Sequence, residues 1–543
     1  MIFKAHNGIN NCSDGVSTAP QSLAVRKLLP GRTDSLETFQ SIKIWLNECL
    51  TNHPRCQEVA AFRTLRPPKR ILDLRGASIR LCEDFKLQDY ACLSHCWGSS
   101  TSMVKTTTSN LESFKANVPS DALPKTFLEA IEICRRLDIH FLWIDSLCII
   151  QDSEEDWKEQ AAKMADIYEN AVFTIAATWA EDSSKGCFSY TDPKFMAKEV
   201  DNHDGVYIRH RLPKLPIRWK TEEEKAVREE FPLLVRGWVF QEQYLSPRVL
   251  YFTAQEVIWR CHTFQKSENG EVKESGPNSW FDTTLLPRNL WHAIVEAYSS
   301  LQLSFERDRF PALAALAERK CNERKDNRFL AGLWEKTLLY DLVWSVAFWS
   351  QRSVRSRSSG IYFPSWSWAS VKHSVAWTKT HRSRSPLRSV KVLGIQYDTR
   401  GRRLTDDLIY ASITLQAPLL RLQHKWGFGW EIETQDLQKS DGTILDLLET
   451  RKCTLDVEAY ERISMGFFLP LHHLDNNKER LYIEGLLLRR TDDSTYERLG
   501  YLLMEHDIQT HAFELKEATS SKDIWRQTIA VLESLPVSPI TLV

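Results

Sequence analysis

This chain lacks most of the features that would sort it quickly. It has no run of about 18 apolar residues, so a membrane-spanning helix is not expected. It has no excess of either charge, with 70 basic against 71 acidic residues, so no general attraction to nucleic acid or to a membrane surface follows. Neither G-x-G-x-x-G nor G-x-x-x-x-G-K-[ST] occurs, which argues against an ordinary dehydrogenase or P-loop NTPase. Ser94, His95 and Asp145 lie near one another in the reading below, but a Gly-x-Ser-x-Gly elbow is missing and a hydrolase triad is not expected. No internal repeat is visible, and Met1–His6 offers no secretory h-region. The 12 cysteines are scattered without a Cys-x-x-Cys pair, so most are expected to be small buried hydrophobes in a reduced, cytoplasmic compartment.

What is present is length and aromatic mass. At 543 residues the chain exceeds one ordinary core, and 19 Trp with 24 Phe imply aromatic-rich interiors. Residues 1 to about 35 read as irregular, followed by a helix from Ser35 to Leu50 with Phe39, Ile42, Leu46 and Leu50 on one face. Ile71–Leu74 and Ser78–Leu81 read as a short strand pair.

The region from Tyr90 to Ala177 has the clearest rhythm. Tyr90–Ser94, Phe141–Ile144 and Ala171–Ala177 are short apolar runs suited to buried strands. Between them, Pro124 opens a helix with Phe127, Ile131, Cys134 and Leu137 on one face. Ser153 with Asp156 forms a capping box for a second helix, whose inner face would be Trp157, Ala161, Met164 and Tyr168. Strand, helix, strand, helix, strand at these spacings predicts a parallel sheet with crossover helices.

Further along, a charged insertion spans about 181–230, and Val249–Phe252 with Val257–Cys261 read as paired strands. Helical periodicity returns between Leu290 and Ser350, and strands are expected at Val390–Ile395, Ile409–Leu415, Leu481–Leu488 and Leu499–Met504. Alternation of Trp366 and Trp368 within Pro364–Ser370 fits a strand packed on a core, and the basic, Ser-rich segments Arg352–Arg357 and Lys379–Arg388 fit solvated loops. Cys49, His53 and Cys56 have metal-like spacing, with Cys82 as a conceivable fourth ligand, but packed thiols are the expectation and no metal is assigned.

Four segments resemble the fungal heterokaryon incompatibility (HET) domain: Tyr90–Gly98, Leu123–Trp157, Met164–Ala177 and Arg236–Phe252, in matching order and spacing. His95 stands where Tyr or another residue is often found, and Pro364–Ser370 is similar to a motif downstream in long members. The resemblance implies an α/β fold distantly related to Toll/interleukin-receptor (TIR) domains and a role in non-self recognition, ending in fungal cell death or growth arrest. Some TIR domains hydrolyse NAD at the nicotinamide–ribose bond, using a Glu in a Trp-Cys-x-x-Glu motif. Trp238 and Glu242 stand at that spacing here, with Val239 where the Cys would be. Glu242 is thus the candidate catalytic carboxylate, with Ser94, Trp97, Gly98, Asp145, Ser146 and Trp238 as candidate ligand-binding residues.

In that reading small residues after the first strand let backbone N–H groups approach phosphates, Asp145 accepts from a ribose hydroxyl and Trp97 stacks on a ring. The plainer readings are that Glu242 pairs with Arg236 or Arg248, that Ser94 and Asp145 cap turns, and that Trp97 packs beneath a helix. The expected layout is an N-terminal, partly helical extension (1–85), a TIR-like HET domain (86–262), a helical region (263–360) and a β-rich region (361–543). NAD is the expected substrate and no cofactor is implied. The alternatives are a non-enzymatic module acting by homotypic assembly, with an incompatibility partner, and a divergent HET protein associated with a metabolic gene cluster.

Overall fold

The computed structural model describes the chain apart from residues 6–22, 62–65, 84, 87, 99–103, 216–227, 275–286, 324–326, 348–360, 379–382, 402–407, 426–428, 434–448, 456–464, 477–479 and 508–520. It divides into two compact units, Met1–Leu285 and Leu286–Val543.

The first unit begins with β1 (Ile2–Ala5) and β2 (Val25–Arg26), then α1 (Leu36–Asn52) and α2 (Pro54–Ala61). The expected irregular start is corrected here. Apolar Ile2 and Phe3 let β1 pair with β9 (Val206–Ile208), and β2 and β8 (Lys198–Glu199) complete a four-stranded sheet. The predicted hairpin appears as β3 (Arg70–Asp73) and β4 (Arg80–Glu83).

The central strands are β5 (Ala91–Ser94), β6 (Phe141–Trp143), β7 (Phe173–Ala177) and β10 (Arg248–Phe252). Every residue in them is buried, as expected for strands covered on both faces. They are parallel in the order β10-β7-β5-β6. Antiparallel strands extend both sides of this block: β3 and β4 beyond β6, and β11 (Val257–Cys261), β12 (Phe264–Ser267) and β13 (Val272–Glu274) beyond β10. The parallel sheet predicted from the sequence is therefore the centre of a mixed nine-stranded sheet, because short hairpins, which need no crossover, supply its edges.

The helices of this unit are α3 (Leu111–Ala116), α4 (Lys125–Arg136), α5 (Asp145–Cys148), α6 (Glu154–Asn170) and α7 (Gly237–Leu245). Helix α4 follows Pro124 and buries Phe127, Ala130, Ile131 and Cys134. Asp138, at φ 60°, then turns the chain towards β6. Helix α6 starts where expected, with Ser153 Oγ accepting from Asp156 N at 3.2 Å. The reciprocal half of the capping box is replaced: the Asp156 carboxylate accepts from Ile150 N at 2.9 Å, from Lys69 at 3.1 Å and from the buried Arg70 guanidinium. The buried face of α6 includes Asp156, Gln160, Met164, Ile167 and Tyr168, with Trp157 and Ala161 at its margin.

The second unit carries helices Pro287–Ser299 and Pro311–Glu323 and a ten-stranded sheet. The expected strands fall on Lys391–Thr399, with Val390 just before it, and within Leu408–Pro418, Arg480–Arg490 and Thr495–Asp507. Two readings are corrected. Ser383–Pro386, read as loop, is a strand paired with Met465–Asn476, while Arg352–Arg357 lies outside the described residues. Trp366 and Trp368 are buried as expected, but in a turn and a 3-10 helix (Trp368–Ser370), not a strand. Ser367 sets that geometry by capping Ala369 N at 3.1 Å and donating to Ala331 O at 2.6 Å. Trp291 and Trp368 both donate to Gly332 O, at 2.9 and 3.1 Å.

Candidate functional site

Parallel pairing of β5 with β6 places Ala91 opposite Leu142 and Cys92 opposite Trp143, so the chain leaves both strands at the same edge of the sheet. Ser94 ends β5, and Asp145 opens the single turn α5 just after β6. The two loops are joined directly: Trp97 Nε1 donates to Asp145 Oδ2 at 2.9 Å. The other carboxylate oxygen accepts from Ser146 N at 2.7 Å. Gly98 sits at φ +77°, and a Cβ there would lie 2.5 Å from Asp182 Cβ, so only glycine fits.

Glu242 lies near the C-terminal end of α7 and is 6 % exposed. Burial raises its carboxyl pKa to about 7 against the combined pull of Ser94, Arg236 and Tyr168, while the Asp145 charge pushes it further up. Its Oε2 and the Ser94 Oγ are buried without a hydrogen bond of good geometry, so Ser94 adjoins the carboxyl without tying it down. Tyr168 OH bonds the Leu93 carbonyl at 3.3 Å. Ser146 Oγ and His95 Nε2 are likewise buried without a partner. Four buried polar atoms, from the end of β5, the residue after it, α5 and α7, thus lack a hydrogen bond of good geometry, which normally costs stability.

Of the candidate residues, the structure brings Ser94, Asp145 and Glu242 into electrostatic contact and ties Trp97 and Ser146 to Asp145. Trp238 instead meets the Trp157 ring edge-on, with centroids 6.5 Å apart. Trp97 is half-buried, and its indole N–H is directed at Asp145. Neither arginine forms an ion pair with Glu242 among the described residues. Arg236 Nη1 donates to His95 O at 2.5 Å, and Arg248 Nε points at Cys49 Sγ, 3.2 Å away.

Two residues beyond the candidate ligand set also act on the Glu242 carboxyl: Tyr168, from the inner face of α6, and Arg236, just before α7. His95 is buried and held at about 4, first by desolvation, and so is neutral at neutral pH. Its Nδ1 is 3.9 Å from Asp145 Oδ1 and Ser94 Oγ has no partner, so no triad is assembled.

A separate cleft of about 380 Å³ is lined by Asp34, Lys125, Glu129, Trp179 and Tyr190 among others; Glu242 does not border it. Cys82 lies beside Asp73, its Sγ 4.0 Å from Oδ2, so the fourth member of the Cys49–His53–Cys56 group is Cys261 instead.

No curated protein and no solved structure matches the chain. One family does: residues 90–242, running from the residue before β5 to the candidate carboxylate Glu242, match the family described as heterokaryon incompatibility protein (HET). The match covers under a third of the 543 residues, and over that segment the chain carries a HET domain.

Proposed function

We propose that this protein is an incompatibility effector, related at a distance to TIR domains, whose output is cleavage of NAD at the nicotinamide–ribose bond with Glu242 as the catalytic carboxylate. The observation that carries the reading is a buried carboxyl, raised to about 7, beside the C-terminal ends of parallel strands in a HET domain.

The chemistry asks little of the protein. The C1′–N bond breaks, its electron pair leaves with neutral nicotinamide, and the ribose becomes an oxocarbenium ion. Water adds to C1′ and loses a proton. An ionised Glu242 in a low-dielectric site would stabilise the developing positive charge, and Asp145 would orient a ribose hydroxyl. The test is nicotinamide release by the purified chain, with Glu242→Gln alongside.

The burial of Glu242 favours a second reading, in which the HET domain signals by homotypic assembly and the carboxyl is a core acid. Toxicity in cells that survives Glu242→Gln while NAD stays constant would select it.

A further inference from the structure

We infer that Cys49, His53, Cys56 and Cys261 form a structural zinc site. Each offers one ligand atom, all four residues are buried, and the four atoms lie within 4.8 Å of one another. A tetrahedral zinc with bonds near 2.3 Å to sulfur and 2.0–2.1 Å to nitrogen needs ligand atoms roughly 3.5–3.8 Å apart. His53 Nδ1 already lies 3.5 Å from Cys261 Sγ and 3.9 Å from Cys56 Sγ. Only slight contraction is required.

The ligands come from the last turns of α1, its C-cap, the first turn of α2 and the end of β11. The chain reversal between the helices puts Cys49, His53 and Cys56 on one side, facing the sheet, and strand pairing delivers Cys261. Three thiolates and a neutral imidazole choose a soft, tetrahedral divalent ion, and four protein ligands leave no position for water, the hallmark of a structural rather than catalytic site.

The surroundings fit a metal–thiolate centre. Three thiolates around a divalent ion carry a net charge of −1, and Arg248 Nε stands 3.2 Å from Cys49 Sγ to offset it. Phe264 N donates to Cys261 Sγ at 3.4 Å, and the Thr263 hydroxyl is 3.4 Å from Cys56 Sγ. On the far edge of the imidazole, Glu48 Oε1 stands 3.9 Å from His53 Nε2, beyond hydrogen-bond reach, with Lys266 holding Glu48 at 2.6 Å. All four ligands lie outside residues 90–242, so the site would clamp the N-terminal helices to the sheet of the HET domain without belonging to the matched segment.

The experiment is metal analysis of the full chain, purified without chelator from zinc-supplemented cells. One zinc per chain is expected, retained by Cys82→Ser and lost from Cys261→Ser and His53→Ala. Should those variants fail to fold, wild-type chain stripped of metal and reloaded with cobalt decides the matter. Tetrahedral d–d bands with thiolate-to-cobalt charge transfer support the site, and their absence overturns it. Zinc-free wild type, or a disulfide among Cys49, Cys56 and Cys261 in the non-reduced mass, also overturns it.

Discussion

The indole of Trp97 donates to the carboxylate of Asp145 at 2.9 Å, joining the loop after one parallel strand to the turn after its neighbour. The residues are 48 apart in sequence, and only the sheet brings them together. With Ser146 N on the other oxygen, Asp145 is fixed in orientation beside Glu242.

Trp97→Phe keeps the ring and removes the donor. It should cost about 1 kcal/mol or less of stability, since one hydrogen bond at a half-buried position is lost. If Asp145 orients substrate, NAD cleavage should fall by far more than the unfolding midpoint implies. Urea titration beside initial rates would show this; equal, small effects on both would make Trp97 a packing residue only.

Stability should depend on pH through Glu242. Its pKa lies at about 7 in the fold against an ordinary 4.5, so the folded chain holds a proton that the unfolded chain releases between those values. Stability therefore falls as pH rises through that window. Glu242→Gln should be progressively more stable than wild type from pH 5 to 8, by up to on the order of 3 kcal/mol. Glu256 and Glu268, also raised to about 7 by burial, keep a residual slope in the variant. Parallel stability curves for the two proteins would contradict the assignment. Cleavage, which needs the carboxylate, should rise with pH over the same range.

Gly98→Ala should be worse than Gly205→Ala. Both glycines have positive φ, +77° and +72°, a conformation costing about 1–3 kcal/mol for a residue with a side chain. A Cβ at Gly205 meets nothing within 4 Å, whereas one at Gly98 collides with Asp182. Thermal unfolding of the two variants isolates the collision.

Asp156→Asn should destabilise the first unit by about 3 kcal/mol, the low end for a broken buried pair, because Arg70, whose side chain is 1 % exposed, loses one of its two carboxylate partners and keeps Glu83 at 3.4 Å. Arg70→Met combined with Asp156→Leu should recover part of that loss. Chemical denaturation of the single and double variants measures the coupling.

The sequence carried the central elements plainly because their signals are local. Apolar runs marked β5, β6 and β7, and Ser153 marked the start of α6. What it did not carry was long-range pairing. Nothing near Ile2–Ala5 announces its partner at Val206–Ile208, and nothing near Cys56 points to Cys261 over Cys82. Trp366 and Trp368 misled because spacing of two fits a strand, while Ser367 between them caps a 3-10 turn. At the site, Ser94 and Asp145 were legible from the ends of the strands they follow, and Glu242 from its spacing to Trp238. The Trp97–Asp145 bond and the role of Tyr168 depend on side-chain direction, which spacing does not report.

The most direct measurement is nicotinamide release from NAD by the purified chain at high concentration, wild type against Glu242→Gln, with circular dichroism confirming that both are folded. The account predicts release by the wild type and none by the variant. Equal release from both, or none from a wild type that still kills cells, would contradict it.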